Sequence, residues 1–333
     1  MKKIHIVLLW FLPILVGVLS LFIGRYRVDF SQMFNLLLSG FGLRDGYSAG
    51  QSITVVLQLR LPRIIAAAFV GAGLAASGAA YQGVFHNPLV SASFLGVSAG
   101  ASFGAALAIV LFSMQWLTYP FAFFFGMLAV VLSYWIARIY KTVPAIMLVL
   151  GGTIVSSIFN ALVSLLKYMA DAERQLPQIV YWLMGSVSSV RYGDFWALVP
   201  ILIGIVILIF YSWKINVLSM GDKEARAMGV NVKTTKVIII AGATLATAGA
   251  VCLSGTVGWV GLVIPHIGRM LAGNDNRLLI PLAISLGATF MIVIDTLSRT
   301  IVSSEIPLGI LTALIGAPFF IFLLKKTKGG GWQ

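Results

Sequence analysis

The sequence predicts an all-α fold: one domain of about ten membrane-spanning helices with an inverted internal repeat. Composition is the first reason. Of 333 residues, 59% are apolar and only 10% are Asp, Glu, Lys or Arg, against about 25% in soluble domains. The second is a run from Ile64 to Ala137 without one charged side chain. A span needs roughly 20 apolar residues to cross the hydrocarbon core, so this run alone holds three. The third is the solvent. In lipid each backbone N–H and C=O must be satisfied within the chain, which favours helices. A transmembrane barrel would show alternating segments of about ten residues, and the sequence has no such pattern.

Taken in order, the first span is read at 4–23, after Lys2 and Lys3. It mimics a signal peptide, but its apolar part is long and no small-residue cleavage site follows, so an uncleaved span is expected. Residues 25–63 form an external interval holding MFNLLL and ITVVLQL, enough for short helices. Spans at 64–83, 93–113 and 121–137 fill the charge-free run, and 144–166 and 195–213 follow. The apolar stretch from 237 is divided into 237–254 and the short, Pro265-containing 258–272; the last two spans are 279–297 and 307–324. Parity supports the division. Lys2 and Lys3 at one end, and Lys325, Lys326 and Lys328 at the other, place both termini in the cytoplasm, which requires an even number. Of the lysines only Lys167 then lies outside, whereas Arg25, Arg27, Arg44, Arg60, Arg63, Arg174, Arg191 and Arg299 are all external. The net charge of +13 is scattered over span ends, which suits membrane topology and not a nucleic-acid surface.

GAGLAASGA (71–79) and GATLATAGA (242–250) agree at six of nine positions and lie in spans of opposite direction. That is the pattern of an inverted repeat, a common device of transporters. Small residues recur at four-residue spacing (Gly71, Ala75, Ala79; Gly242, Ala246, Ala250), suited to close helix packing or to a place in a pathway.

The chemistry of an enzyme is missing. There is no G-x-x-x-x-G-K-S/T phosphate loop, no H-E-x-x-H and no G-x-S-x-G. His5, His86 and His266 stand far apart, and Cys252 is a single cysteine in an apolar run, so no metal set is expected. Asp295 is the deepest acid and can pair with Arg299 at i,i+4. So little intramembrane charge argues against an ion-coupled secondary transporter, the competing reading, and puts the energy source outside the chain. One polar island interrupts the apolar pattern. VLSMGDKEARAMGV (217–230) carries Asp222, Lys223, Glu224 and Arg226 between Gly221 and Gly229, on the cytoplasmic side.

Several longer motifs occur in one order. They are LRLPR (59–63), GAGLAASGAAYQGVFHNPL (71–89), FLGVSAGA (94–101), WLMGS (182–186), the island, SGTVGWVGLVIPHIGRML (254–271) and EIPLGILTALIGAPFFIFLL (305–324). Together they resemble the permease subunits of type II ABC importers for iron–siderophore, haem and vitamin B12 uptake, from Leu59 to the C-terminus. The resemblance implies a ten-span, multi-pass subunit of the bacterial cytoplasmic (inner) membrane, paired with itself or a similar permease. It also implies two cytoplasmic ATPases, which would bind the ATP and Mg, and an extracytoplasmic binding protein. This chain would bind no cofactor.

The resemblance also implies roles for residues. The island becomes the coupling helix docked in an ATPase groove, with Gly221 and Gly229 permitting turns. Ala225 and Met228 would share an apolar edge, and Asp222, Lys223, Glu224 and Arg226 would keep the helix soluble. Arg60, Arg63 and Arg299 correspond to arginines that pair with binding-protein glutamates, the other reading being contact with lipid phosphates. The fifth span would adjoin the pathway, with Gly152, Thr153, Ser156, Ser157 and Asn160 either lining it or bonding back to helix carbonyls. Thr142 and Val143, before Pro144, fall at the cytoplasmic gate.

Overall fold

The computed structural model describes residues 9–26, 31, 54–112, 114–138 and 145–326, and these are helical with short connections. The helices are α1 (Leu12–Phe22), α2 (Leu61–Phe85), α3 (Val97–Phe112), α4 (Gln115–Ala137), α5 (Ala145–Met169) and α6 (Gln175–Met184). They continue with α7 (Leu198–Leu218), α8 (Asp222–Ala227), α9 (Val232–Ser254), α10 (Val260–Ala272), α11 (Asn276–Ser298) and α12 (Leu308–Lys326). Among the described residues, six stretches are long and apolar enough to cross a membrane: 55–85, 116–137, 146–169, 192–218, 232–254 and 276–298. Four shorter apolar helices, 12–22, 97–112, 260–272 and 308–322, lie on the remaining expected spans. The extra helix is α6, which the sequence pattern did not suggest as an element.

α2 begins earlier than the expected 64–83. A widened π-helical turn over Val55–Arg60 runs directly into it. Pro62 supplies the reason: its ring cannot donate and crowds the carbonyl one turn back, so the helix opens locally. α2 is the axis of the molecule and is almost wholly buried. Its small residues let neighbouring backbones approach. A methyl on Gly71 would lie 2.0 Å from the Gly287 carbonyl of α11, and one on Gly78 2.0 Å from the Gly261 carbonyl of α10. The small-residue stripes are thus packing surfaces; Ala75, Ala79, Ala246 and Ala250 are fully buried.

The two copies of the repeat face one another. Ser77 Oγ donates to the Ala243 carbonyl at 2.9 Å, Tyr81 OH lies 3.0 Å from Thr244 Oγ1, and Gly73 abuts the Ala246 backbone. Residues 73, 77 and 81 of α2 thus meet 246, 243 and 240 of α9, the last where Tyr81 OH lies 3.4 Å from the Ile240 carbonyl, so the two helices run antiparallel. α10 is a half-length helix with an irregular lead-in over residues 255–258, and Trp259 takes a positive φ of 70°.

Candidate coupling surface and buried ion cluster

α8 is six residues long and bounded by left-handed or extended glycines, Gly221 at φ 126° and Gly229 at φ 79°. L side chains rarely take such φ values. Lys223, Glu224, Arg226, Ala227, Met228 and Gly229 are exposed, and Met220 adds a second apolar knob. Ala225 differs from expectation. It is fully buried in the chain's own core, while Met228 is half exposed, so the two do not share an outward edge. The helix ends at Ala227, and the Val230 N–H returns to the Ala225 carbonyl. Helical bonding still reaches the Met228 N–H, which donates to the Glu224 carbonyl at 3.0 Å, so it is the rotation of α8 against the core that buries Ala225 and leaves Met228 at the margin.

Three elements clamp α8 and the end of α7. Lys236 of α9 pairs with Asp222 at 2.7 Å. His86, the left-handed cap of α2 at φ 52°, donates from Nε2 to the Leu218 carbonyl at 2.6 Å. Asn216 donates to Asp275 Oδ1 at 2.5 Å and accepts from the Asn276 N–H at 2.7 Å, joining α7 to the start of α11. Asp275 caps α11 and binds Arg277; chiefly through hydrogen bonds from the Arg277 side chain, its carboxyl is lowered to about 2. Asn216, His86 and Asp275 carried no sequence signal for this role, because each acts on a residue at least 59 positions away.

At the other end of α2 and α11 lies a buried ion cluster. Arg63 donates from Nε to Asp295 at 2.5 Å and from Nη1 to Glu305 at 2.7 Å. Arg299 Nε lies 3.7 Å from the second Asp295 oxygen, and its Nη2 donates to the Ser20 carbonyl and hydroxyl at 2.6 Å. Arg60 donates to the carbonyls of Leu21 and Tyr26. All three arginines are only 6–7% exposed. Arg60, Arg63 and Arg299, expected to pair with a binding protein, fold inward here onto internal acceptors, while Arg63 Nη2 and Arg299 Nε and Nη1 are buried without a hydrogen-bond partner. The expected Asp295–Arg299 pair is present, but the shorter partner of Asp295 is Arg63.

On α5, Gly152 is buried against the Phe94 carbonyl, Ser156 is half-buried and Asn160 is exposed. Thr153, Ser157, Asn160 and Ser164 form an exposed polar stripe. Thr153, Ser157 and Ser164 hydroxyls donate back to carbonyls three or four residues earlier, so their own helix satisfies them. Thr142 and Val143 lie outside the described residues. A cavity of about 210 Å³ where α3 and α10 begin is lined by Ser91, Ser93, Ser98, Thr247, Thr256 and Trp259. No His/Cys/Asp/Glu group suited to a metal ion occurs among the described residues.

These features have counterparts in known proteins. A model of the FecCD transport family matches residues 12–326. The molybdate import system permease MolB of Haemophilus influenzae is 42% identical over 323 residues, covering 96% of this chain and 95% of its own. The cobalamin import system permease BtuC of Halobacterium salinarum is 40% identical over 276 residues, covering 82% and 74%. A solved structure described as an inward-facing conformation of a metal-chelate type ABC transporter superposes with a TM-score of 0.85 at 39% identity, covering 98% of this chain and all of that one. Proteins of this family are the membrane subunits of ABC transporters and not enzymes, ATP hydrolysis residing on separate subunits. With α2, α10 and α12 built from the motifs quoted above and nearly the full length matched, the chain is an integral membrane protein that belongs to the FecCD transport family of ABC transporter permeases.

Proposed function

We propose that this chain is the permease subunit of a binding-protein-dependent importer of the inner membrane, with both termini cytoplasmic. It converts movement of two ATPase subunits into alternating access for a metal chelate, a corrinoid or haem-type ligand, or an oxyanion. The single observation that carries this reading is α8. It is a short, glycine-bounded helix whose outer surface is charged and whose inner side chain, Ala225, is fixed in the core. A rigid element seated that way passes a push from outside into α7, α9, α2 and α11.

The exposed polar stripe of α5 suits the wall of a pathway completed by a second permease subunit, identical or similar. Thr153, Ser156, Ser157 and Asn160 carry no charge, which fits selection by a separate extracytoplasmic binding protein. The substrate range is widened by the relatives, among them a molybdate and a cobalamin permease.

The test is reconstitution of the permease with its ATPase and binding protein in liposomes. Uptake of the ligand that the binding protein retains should require ATP inside or outside, on the face that carries the ATPase. Uptake driven by an ion gradient without nucleotide would replace this reading with a secondary carrier. For Arg60, Arg63 and Arg299, docking of a binding protein requires their internal partners to be displaced. Their burial favours a structural role, and the Arg63 experiment below separates the two.

A further inference from the structure

A cleft between α4 and α9 faces outward on the flank of the molecule. It has a volume of about 280 Å³ and is walled by Val130, Val131 and Trp135 on one side and Val237, Ile240 and Ala241 on the other. Trp135 is 70% exposed and Val131 53%. Inside the cleft the Thr244 hydroxyl is already bonded to the Ile240 carbonyl, Tyr134 adds a phenol to the wall, and no charged side chain lines it apart from Arg138 at its end. Its wall is otherwise apolar, which suits an apolar occupant.

One end is different. Arg138, the cap of α4, lines that end of the cleft. On α9, Lys233 precedes Val237 by four residues and so lies on the same helix face, one turn further toward α8. Both are exposed, and neither enters an ion pair among the described residues, whereas neighbouring Lys236 is already held by Asp222. Lys233 also stands in the first turn of its helix, where the dipole disfavours a cation and an anion would offset the cost. From Met127 to Arg138 the cleft-lining face of α4 rises about 16 Å. That is close to one leaflet, half of the roughly 30 Å hydrocarbon core.

We propose that this cleft is a binding site for an anionic phospholipid of the leaflet on the α8 side, an acyl chain lying between α4 and α9 and the phosphate held by Arg138 and Lys233. Apolar length, cationic mouth and the indole of Trp135 near that mouth match such a lipid in order along the membrane normal. The site flanks the start of α9, one turn from the Lys236–Asp222 link to α8. Lipid charge at this mouth therefore acts on the helix that follows the island.

The full-length permease in nanodiscs offers a direct measurement. Brominated phosphatidylglycerol and brominated phosphatidylcholine are compared as quenchers of tryptophan fluorescence, with Trp135→Phe subtracted to isolate the indole in the cleft. Two basic side chains of ordinary juxtamembrane strength correspond to roughly a 30-fold preference for the anionic lipid. Quenching of Trp135 by phosphatidylglycerol should saturate at a correspondingly lower mole fraction. The double variant Arg138→Gln/Lys233→Gln should bring the two lipids level, and raised salt should do so in part. Both residues are exposed, and retention of bound phosphatidylglycerol in native mass spectra gives an independent readout. Equal quenching by both lipids, a preference unchanged in the double variant, or no quenching because another protein segment covers the cleft would each overturn the assignment.

Discussion

Removing one partner from the buried ion cluster tests what holds α2 to α11. Asp295 is fully buried and has Arg63 at 2.5 Å and Arg299 at 3.7 Å. In Arg63→Met, Asp295 keeps only the longer contact and Glu305 loses its partner. Leaving a buried charge uncompensated typically costs 3–5 kcal/mol, and Arg63→Met is expected near the top, at about 4–5 kcal/mol. Asp295→Leu leaves two buried guanidinium groups, but Arg63 retains Glu305 and Arg299 retains Ser20. Its expected loss is lower, about 3 kcal/mol. In the double variant Arg63→Met/Asp295→Leu an apolar pair replaces the shortest ionic contact. The losses should fall short of their sum by about 2 kcal/mol or more, the signature of direct coupling. Equilibrium unfolding in mixed micelles measures all three variants, and a pull-down of the binding protein is run on the same samples. A loss below about 1 kcal/mol in Arg63→Met, together with weakened docking, would refute the structural assignment and restore Arg63 to the partner-facing surface.

Four further outcomes are expected. Gly71→Ala places a methyl 2.0 Å from the Gly287 backbone and should cost about 2 kcal/mol in the same unfolding assay. Gly193→Ala, with nothing within 4 Å, should stay within about 0.5 kcal/mol. Asn216→Leu unties α7 from α11 and leaves the Asn276 N–H without its acceptor, at about 1–3 kcal/mol. In the reconstituted importer the ATPase should still co-purify while substrate moved per ATP falls; an unchanged ratio would remove Asn216 from the coupling route. Asp275 is lowered from 3.8 to about 2 in the folded chain. Its contribution is therefore complete above pH about 4 and is lost as pH falls through 2. An acid titration of stability should show this limb in the parent and lack it in Asp275→Asn; an identical limb in both would show that another group produces it.

The helices were largely readable because membrane solvation acts on local sequence. A run without charge must be satisfied internally, and the polar island stands out for the same reason in reverse. The early start of α2 was not readable as a boundary, since the widened turn at Val55–Arg60 depends on how Pro62 is accommodated. α6 was missed because its ten residues are too few to form a span. At the site, the short polar helix and its glycines were legible as a unit. The direction of each side chain was not: Ala225 is buried and Met228 exposed because only packing on the core sets which face of α8 turns inward.

By itself the sequence determined the solvent, and hence the helical class, the approximate spans, the absence of catalytic sets and the position of the island. It also carried the repeat, although only the fold sets its two copies antiparallel with Ser77 against Ala243. Tertiary structure alone decided that Arg63 meets Asp295, 232 positions away, and that Arg60, Arg63 and Arg299 turn inward. The physical reason is range. Hydropathy and i,i+4 spacing are properties of one helix, whereas the partner of a buried charge follows from the rotation and register of two helices packed through glycines such as Gly71 and Gly287.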